Sequence, residues 1–159
     1  MKASDVMTTG VITVGLNTLV DDIVMTLLSN RISAVPVLDE HGALIGIVSE
    51  ADLIHRVEIR TEQRRSWWRD LLRGKRARAR SFLKSHGFKS TDIMTKPVIA
   101  ANPETPLGEL VTLFDKHRIK RVPVVDHGKI VGIVSRANIL QALALSRKEL
   151  AHDANAEAV

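Results

Sequence analysis

Two short stretches of this chain set a hydroxyl three residues ahead of a carboxylate or a carboxamide. Gly46-Ile-Val-Ser-Glu-Ala-Asp-Leu-Ile54 holds Ser49 and Asp52, and Gly132-Ile-Val-Ser-Arg-Ala-Asn-Ile-Leu140 holds Ser135 and Asn138. In both, an apolar run ends at the serine and a helical pattern starts there. A helix start presents unpaired N–H groups and the positive end of a dipole, which attract phosphate. The Asp52 carboxylate can accept both hydroxyls of a vicinal diol such as that of a ribose, and the Ser49 hydroxyl can reach phosphate or sugar oxygens. The same S-x-x-D spelling is also a capping box, which needs no ligand. The residues alone leave both readings open. Asn138 is neutral, with one acceptor oxygen and two donor protons. It would hold a diol less firmly than Asp52 and tolerate a phosphate beside the sugar better, so the two sites are expected to be unequal.

Other chemistries have little to draw on. The chain contains no Cys, which removes disulfides, thiolate metal sites and thiol nucleophiles. Its six His form no H-x-x-x-H or H-E-x-x-H spacing, and no G-x-x-x-x-G-K-[ST] loop is present. Neither Ser-x-x-Asp/Asn has an evident His partner for a nucleophilic triad. The expectation is a protein that binds and does not catalyse, with no metal and no catalytic cofactor.

The elements around the paired stretches are themselves duplicated. Asp5-Val-Met-Thr8 matches Asp92-Ile-Met-Thr95, and Arg31-Ile-Ser-Ala-Val-Pro-Val-Leu-Asp39 matches Arg118-Ile-Lys-Arg-Val-Pro-Val-Val-Asp126, both at an offset of 87. The loop Asp39-Glu-His-Gly42 shortens to Asp126-His-Gly128, after which the offset is 86. A one-residue deletion in a loop, with all else in register, marks a duplicated domain. Each copy reads β-α-β-β-α, with helices on one face of a small sheet. Val11–Val14 and Val98–Ala101 are β-prone. Thr18 with Asp21 forms a capping box ahead of the stripe Val20, Ile23, Val24 and Leu27. In the second copy Thr105 caps, Pro106 takes the first helical position, and Leu107, Leu110, Val111 and Phe114 repeat the stripe. Two apolar runs joined at His41-Gly42 form a strand pair, and the helix from Ser49 carries Leu53, Ile54 and Val57 on one face. The fold class is α+β. The expected division is 1–56, an insert 57–89, 90–145 and a tail 146–159. About 50 residues bury too little surface to stand alone, so the copies are expected to pack together.

The repeated D-V/I-M-T, R-I-x-x-V-P-V-x-D and G-I-V-S-x-x-D/N-L/I resemble the cystathionine β-synthase (CBS) domain, and two in tandem resemble a Bateman module. The resemblance covers about 4–56 and 90–143. It implies two domains facing each other across a pseudo-two-fold with two clefts between them, dimerisation, and a sensing role. The implied ligands are adenosine compounds: AMP, ADP or ATP, with NAD or S-adenosylmethionine as further candidates. It implies that each cleft takes S-x-x-D from one copy and its D-V-M-T and pre-proline walls partly from the other. Asp52 would then work with Thr95, Val98, Ile99 and Lys120, and Asn138 with Thr8, Val11, Ile12, Ser33 and Arg121. In modules of this kind the position of Lys120 and Arg121 directs a cation at ligand phosphates, whereas the first copy has uncharged Ser33 and Ala34 there. Charged residues at that place also fit an edge strand guarded against pairing. Val11, Ile12, Ile32 and Pro36, with Val98, Ile99, Ile119 and Pro123, would sandwich the base, or else simply belong to the core. Asn138 departs from the family's commoner Asp.

Charge is concentrated between the copies. The net charge is +5 overall, yet residues 56–90 hold 12 Lys/Arg and 3 Asp/Glu. Within that segment Trp67, Trp68, Leu71 and Leu72 predict a helix ending near Gly74, followed by the Arg76, Arg78 and Arg80 run. It is read as a solvated connector, an arm reaching phosphate, or a contact for nucleic acid, an acidic partner or an anionic surface. Nucleic acid is the least supported partner, because no binding signature accompanies the charge. An interaction protein working through this insert is the alternative to a sensor. No stretch reaches membrane-spanning length and the start, MKASDVMTTG, has no apolar targeting core, which predicts a soluble cytoplasmic protein. The small polar tail is expected to fray.

Overall fold

Hydrophobic period dictates the elements. Val20, Ile23 and Leu27 recur at helical spacing and are buried along one face of a helix, while Val35, Val37 and Val48 are fully buried on strands. The computed structural model describes residues 1–59 and 88–145, the side chains of 55–59 excepted. The basic segment's helix and arginine run, and the tail, lie outside the described residues. In chain order the elements are α1 (Ala3–Val6), β1 (Val14–Gly15), α2 (Val20–Asn30), β2 (Ala34–Leu38), β3 (Leu44–Ser49), α3 (Glu50–Ile59), α4 (Ser90–Ile93), α5 (Leu107–Lys116), β4 (Arg121–Asp126), β5 (Lys129–Ser135) and α6, helical residues 136–145. The mixed α+β class is as expected from the sequence.

The chain divides into two compact units, Ile12–Val98 and Met1–Val11 with Ile99–Val159. The first unit is continuous. Its sheet runs β1-β2-β3, with β1 parallel to β2 and β2 antiparallel to β3. α2 and α3 both cover the face bearing Val35, Val37 and Val48, where Ile23, Leu27 and Leu53 meet them with Ile93 and Met94. The second unit is made from both ends of the described chain. β4 pairs antiparallel with β5, Ala101 bridges in parallel to Val124, and Leu110, Phe114 and Ile139 cover Val122, Val124 and Val134. Ala3 of α1, fully buried, completes that core.

Several local expectations give way. The β-prone runs 11–14 and 98–101 form strand only at their ends, β1 and the Ala101 bridge, because only there does a neighbouring backbone offer a ladder partner. Thr18 and Thr105 cap no helix. Leu19 and Pro106 are the N-cap residues, without side-chain caps. Each threonine instead closes the turn before its helix: Thr18 Oγ1 accepts from Gly15 N–H at 3.0 Å and Thr105 Oγ1 from Asn102 N–H at 3.0 Å. In α5, Val111 is exposed and Leu113 packs in its place, and in α3, Ile54 is exposed while Leu53 is buried. The motif arginines Arg31 and Arg118 adopt left-handed backbone (φ 54 and 51) where the chain leaves α2 and α5.

The two hairpins solve the same turn differently. His127 and Gly128 both have positive φ, the geometry of a two-residue type I′ turn. In the longer first turn, Asp39 Oδ1 accepts from the N–H groups of His41 (2.9 Å) and Ala43 (2.8 Å). These bonds, Ala43's foremost, hold the Asp39 carboxyl below its ordinary range.

Candidate functional site

Each unit carries one polar constellation at the junction of its last strand and the following helix. In the continuous unit, β3 ends at Ser49 and α3 begins at Glu50. The Ser49 N–H and hydroxyl both donate to Asp52 Oδ2, at 2.8 and 2.6 Å, and Asp52 N–H lies 3.4 Å from Ser49 Oγ. This reciprocal arrangement is a capping box. A third member arrives from the segment after α4. Thr95 forms a β-bridge with Ile47, its N–H donating to Ile47 O at 2.9 Å, and its hydroxyl donates to Asp52 Oδ1 at 2.6 Å.

The bridge has a packing reason. Met94, the residue before Thr95, lies over Gly46, where a Cβ would stand 2.9 Å from Met94 Cγ. Only glycine at that strand position lets the segment come so close. One turn earlier, Asp92 Oδ2 accepts from Lys89 N–H at 2.8 Å and closes α4, while the fully buried Ser90 hydroxyl sits against the carbonyls of Gly15 and Leu16. The motif D-I-M-T therefore holds its own turn, packs, and delivers a hydroxyl.

The second unit repeats this with one exchange. Asp5 Oδ2 accepts from Lys2 N–H at 2.8 Å, Met7 packs over Gly132, and Thr8 bridges Ile133. Ser135 N–H and hydroxyl donate to Asn138 Oδ1 at 2.8 and 2.6 Å. Asn138 Nδ2 donates to Thr8 Oγ1 at 3.4 Å.

The remaining candidates fall as follows. The continuous unit holds Ile12, Ile32, Ser33, Ala34, Pro36 and Val98, and the other holds Val11, Ile99, Ile119, Lys120, Arg121 and Pro123. Pro36 and Pro123 are fully buried, Ala34 is buried, and Ile32 and Ile119 are partly packed on their units' cores. Ile12 is exposed at the surface and Lys120 is exposed. The Ser33 carbonyl accepts from Glu50 N–H at 3.0 Å, and that of Lys120 from Arg136 N–H at 3.3 Å. Glu50 and Arg136 were not singled out by sequence reasoning. The signal that marks them is that they occupy the same place in the two repeats with opposite charge.

The family model for the CBS domain matches residues 3–59 and 90–145. The chain belongs to the CBS domain family. It is 31% identical over 154 residues to the uncharacterized protein MJ1426 of Methanocaldococcus jannaschii, covering 90% of this chain and 91% of that protein. It is 33% identical over 135 residues to the chloroplastic CBS domain-containing protein CBSX1 of Arabidopsis thaliana, covering 79% of this chain but 56% of CBSX1. The chain thus spans little more than half of that relative. Among solved structures, that of CBSX2 in complex with AMP superposes with a TM-score of 0.69 at 28% identity, covering 92% of this chain and 98% of that one. Among the described residues no helix is long and apolar enough to cross a membrane.

Proposed function

We propose that this CBS pair is a regulatory sensor of adenosine-containing ligands, with AMP or ATP as the leading candidates and NAD or S-adenosylmethionine behind them. The observation that carries this reading is the Ser49–Asp52–Thr95 constellation. It joins a diol acceptor, two hydroxyls and the start of a helix at one point of the fold. The AMP complex of the similar CBSX2 supports the same ligand class. In this reading the candidate residues named from the sequence, with Thr95 beside Asp52 and Thr8 beside Asn138, line the ligands. Occupancy regulates a partner protein by as much as the ligand's affinity differs between two states of the module. Met25 and Leu28 on α2, with Leu140 and Leu143 on α6, are exposed apolar residues through which two copies would associate. Isothermal titration of nucleotide-free protein with AMP, ATP, NAD and S-adenosylmethionine tests the proposal. Saturable heat with at least one is expected, and silence with all four rejects it.

A further inference from the structure

The exchange of Asp52 for Asn138 reverses the direction of a hydrogen bond. A carboxylate only accepts. Thr95 must therefore spend its single proton on Asp52 Oδ1 at 2.6 Å, and what its hydroxyl still offers is lone pairs. In the other unit the orientation of the amide is fixed by the Ser135 backbone. That N–H can only donate, so the atom 2.8 Å from it must be Oδ1. The NH2 group then faces Thr8 Oγ1, at 3.4 Å, and is the donor there. Thr8 accepts with its lone pair and keeps its own proton to give away. The threonine of one rim asks for a donor and that of the other asks for an acceptor.

The surrounding charges divide in the same sense. In the continuous unit the positions next to the serine are Ser33, Ala34, Glu50 and Asp52. Glu50 is tied to Ser33 through the backbone, and Ala34 is the cross-strand partner of Ser49. The corresponding positions in the other unit are Lys120, Arg121, Arg136 and Asn138. Arg136 is tied to Lys120, and Arg121 is the cross-strand partner of Ser135. Two carboxylates stand against three cations. The Arg136 guanidinium donates to the Phe114 carbonyl at 3.4 Å, and Lys120 and Arg121 stand at the start of β4.

We infer that the two rims select different forms of the ligand. The Thr95–Asp52 rim takes the form whose sugar hydroxyls are free, and the Thr8–Asn138 rim takes a form that carries a phosphate on or beside those hydroxyls. There the phosphate oxygens accept from Thr8 and from Asn138 Nδ2 within a cationic surround. This deepens the proposed function and rests on it.

The test titrates the full chain with adenosine and with adenosine 2′,5′-bisphosphate, before and after Asn138→Asp. Aspartate already occupies the equivalent place in the continuous unit, and circular dichroism verifies that the variant folds. The substitution is expected to weaken the bisphosphate by about tenfold or more, the scale of one charged hydrogen bond lost, and not to weaken adenosine, whose sugar hydroxyls a carboxylate accepts at least as well as an amide. Thr8→Val should likewise weaken the bisphosphate selectively, and Asp52→Asn should strengthen it. If the unsubstituted protein binds both compounds and Asn138→Asp leaves their ratio unaltered, the inference is overturned while the ligand class stands. If neither compound nor any of the four ligands above binds, the ligand class itself falls, and the inference with it.

Discussion

Asp52 performs two tasks that are usually separable. Its Oδ2 anchors the start of α3 and its Oδ1 holds Thr95, a residue 43 positions away in sequence. Removing it should therefore register in two independent measurements. Asp52→Ala is expected to cost about 1 kcal/mol of stability, the usual worth of an N-cap, and about ten- to a hundredfold in affinity for an adenosine compound. Asn138→Ala should cost similar stability but less affinity. Urea unfolding and calorimetric titration of both variants check this, and equal losses of affinity would contradict the asymmetry. Much of the arrangement was legible in the residues. S-x-x-D spelled a capping box, and a capping box is what the serine and aspartate form. The threonine was not legible this way. Nothing in Asp92-Ile-Met-Thr95 tells where its hydroxyl will land, and only the resemblance to a family paired Thr95 with Asp52.

At the level of elements, the fold depends on two joints where a methionine crosses a glycine. A Cβ on Gly132 would stand 2.7 Å from Met7 Cγ, and one on Gly46 2.9 Å from Met94 Cγ. Gly46→Ala must push Met94, and with it Thr95, off the edge of β3. We expect a loss of about 1–3 kcal/mol, the range for overpacking, read as a lower urea midpoint. Met94→Ala introduced alongside it should recover part of the loss. A Gly46→Ala protein as stable as the parent would show that the joint is looser than drawn. These glycines were visible as repeat markers, yet their purpose was not, because it depends on a segment that pairing brings in from far along the chain. The helix starts were misread for a related reason. Thr18 and Thr105 have the right type and spacing to cap, but their hydroxyls satisfy Gly15 and Asn102 in the preceding turn. Similarly, Arg31 and Arg118 turn the chain left-handed without the glycine that would have announced it.

Across the whole molecule, repeats and compact units do not coincide. The repeats follow one another, whereas the described units exchange their leading segments: Met1–Val11 completes the core built around β4 and β5, and the D-I-M-T segment completes that built around β2 and β3. Both buried clusters lie wholly within their own units. A fragment of residues 12–98 should therefore show a cooperative thermal transition by circular dichroism. A fragment of residues 1–59, which contains the entire first family match but lacks Ile93 and Met94, should not. If 1–59 melts cooperatively and 12–98 does not, the repeat and not the unit is what folds.

That exchange also imposes an order in time. On the ribosome every residue of the continuous unit has been made once Val98 emerges, so its core can close while the rest of the chain is still being translated. Met1–Val11 emerges before that unit but must wait for β4 and β5, and during that interval Ala3, Val6 and Met7 have no partner of their own unit to cover them. A segment synthesised ahead of the continuous unit is thus buried after it. Early closure of the continuous unit shortens the effective loop between Val11 and Ile99, which lowers the entropy that the second unit loses when it closes.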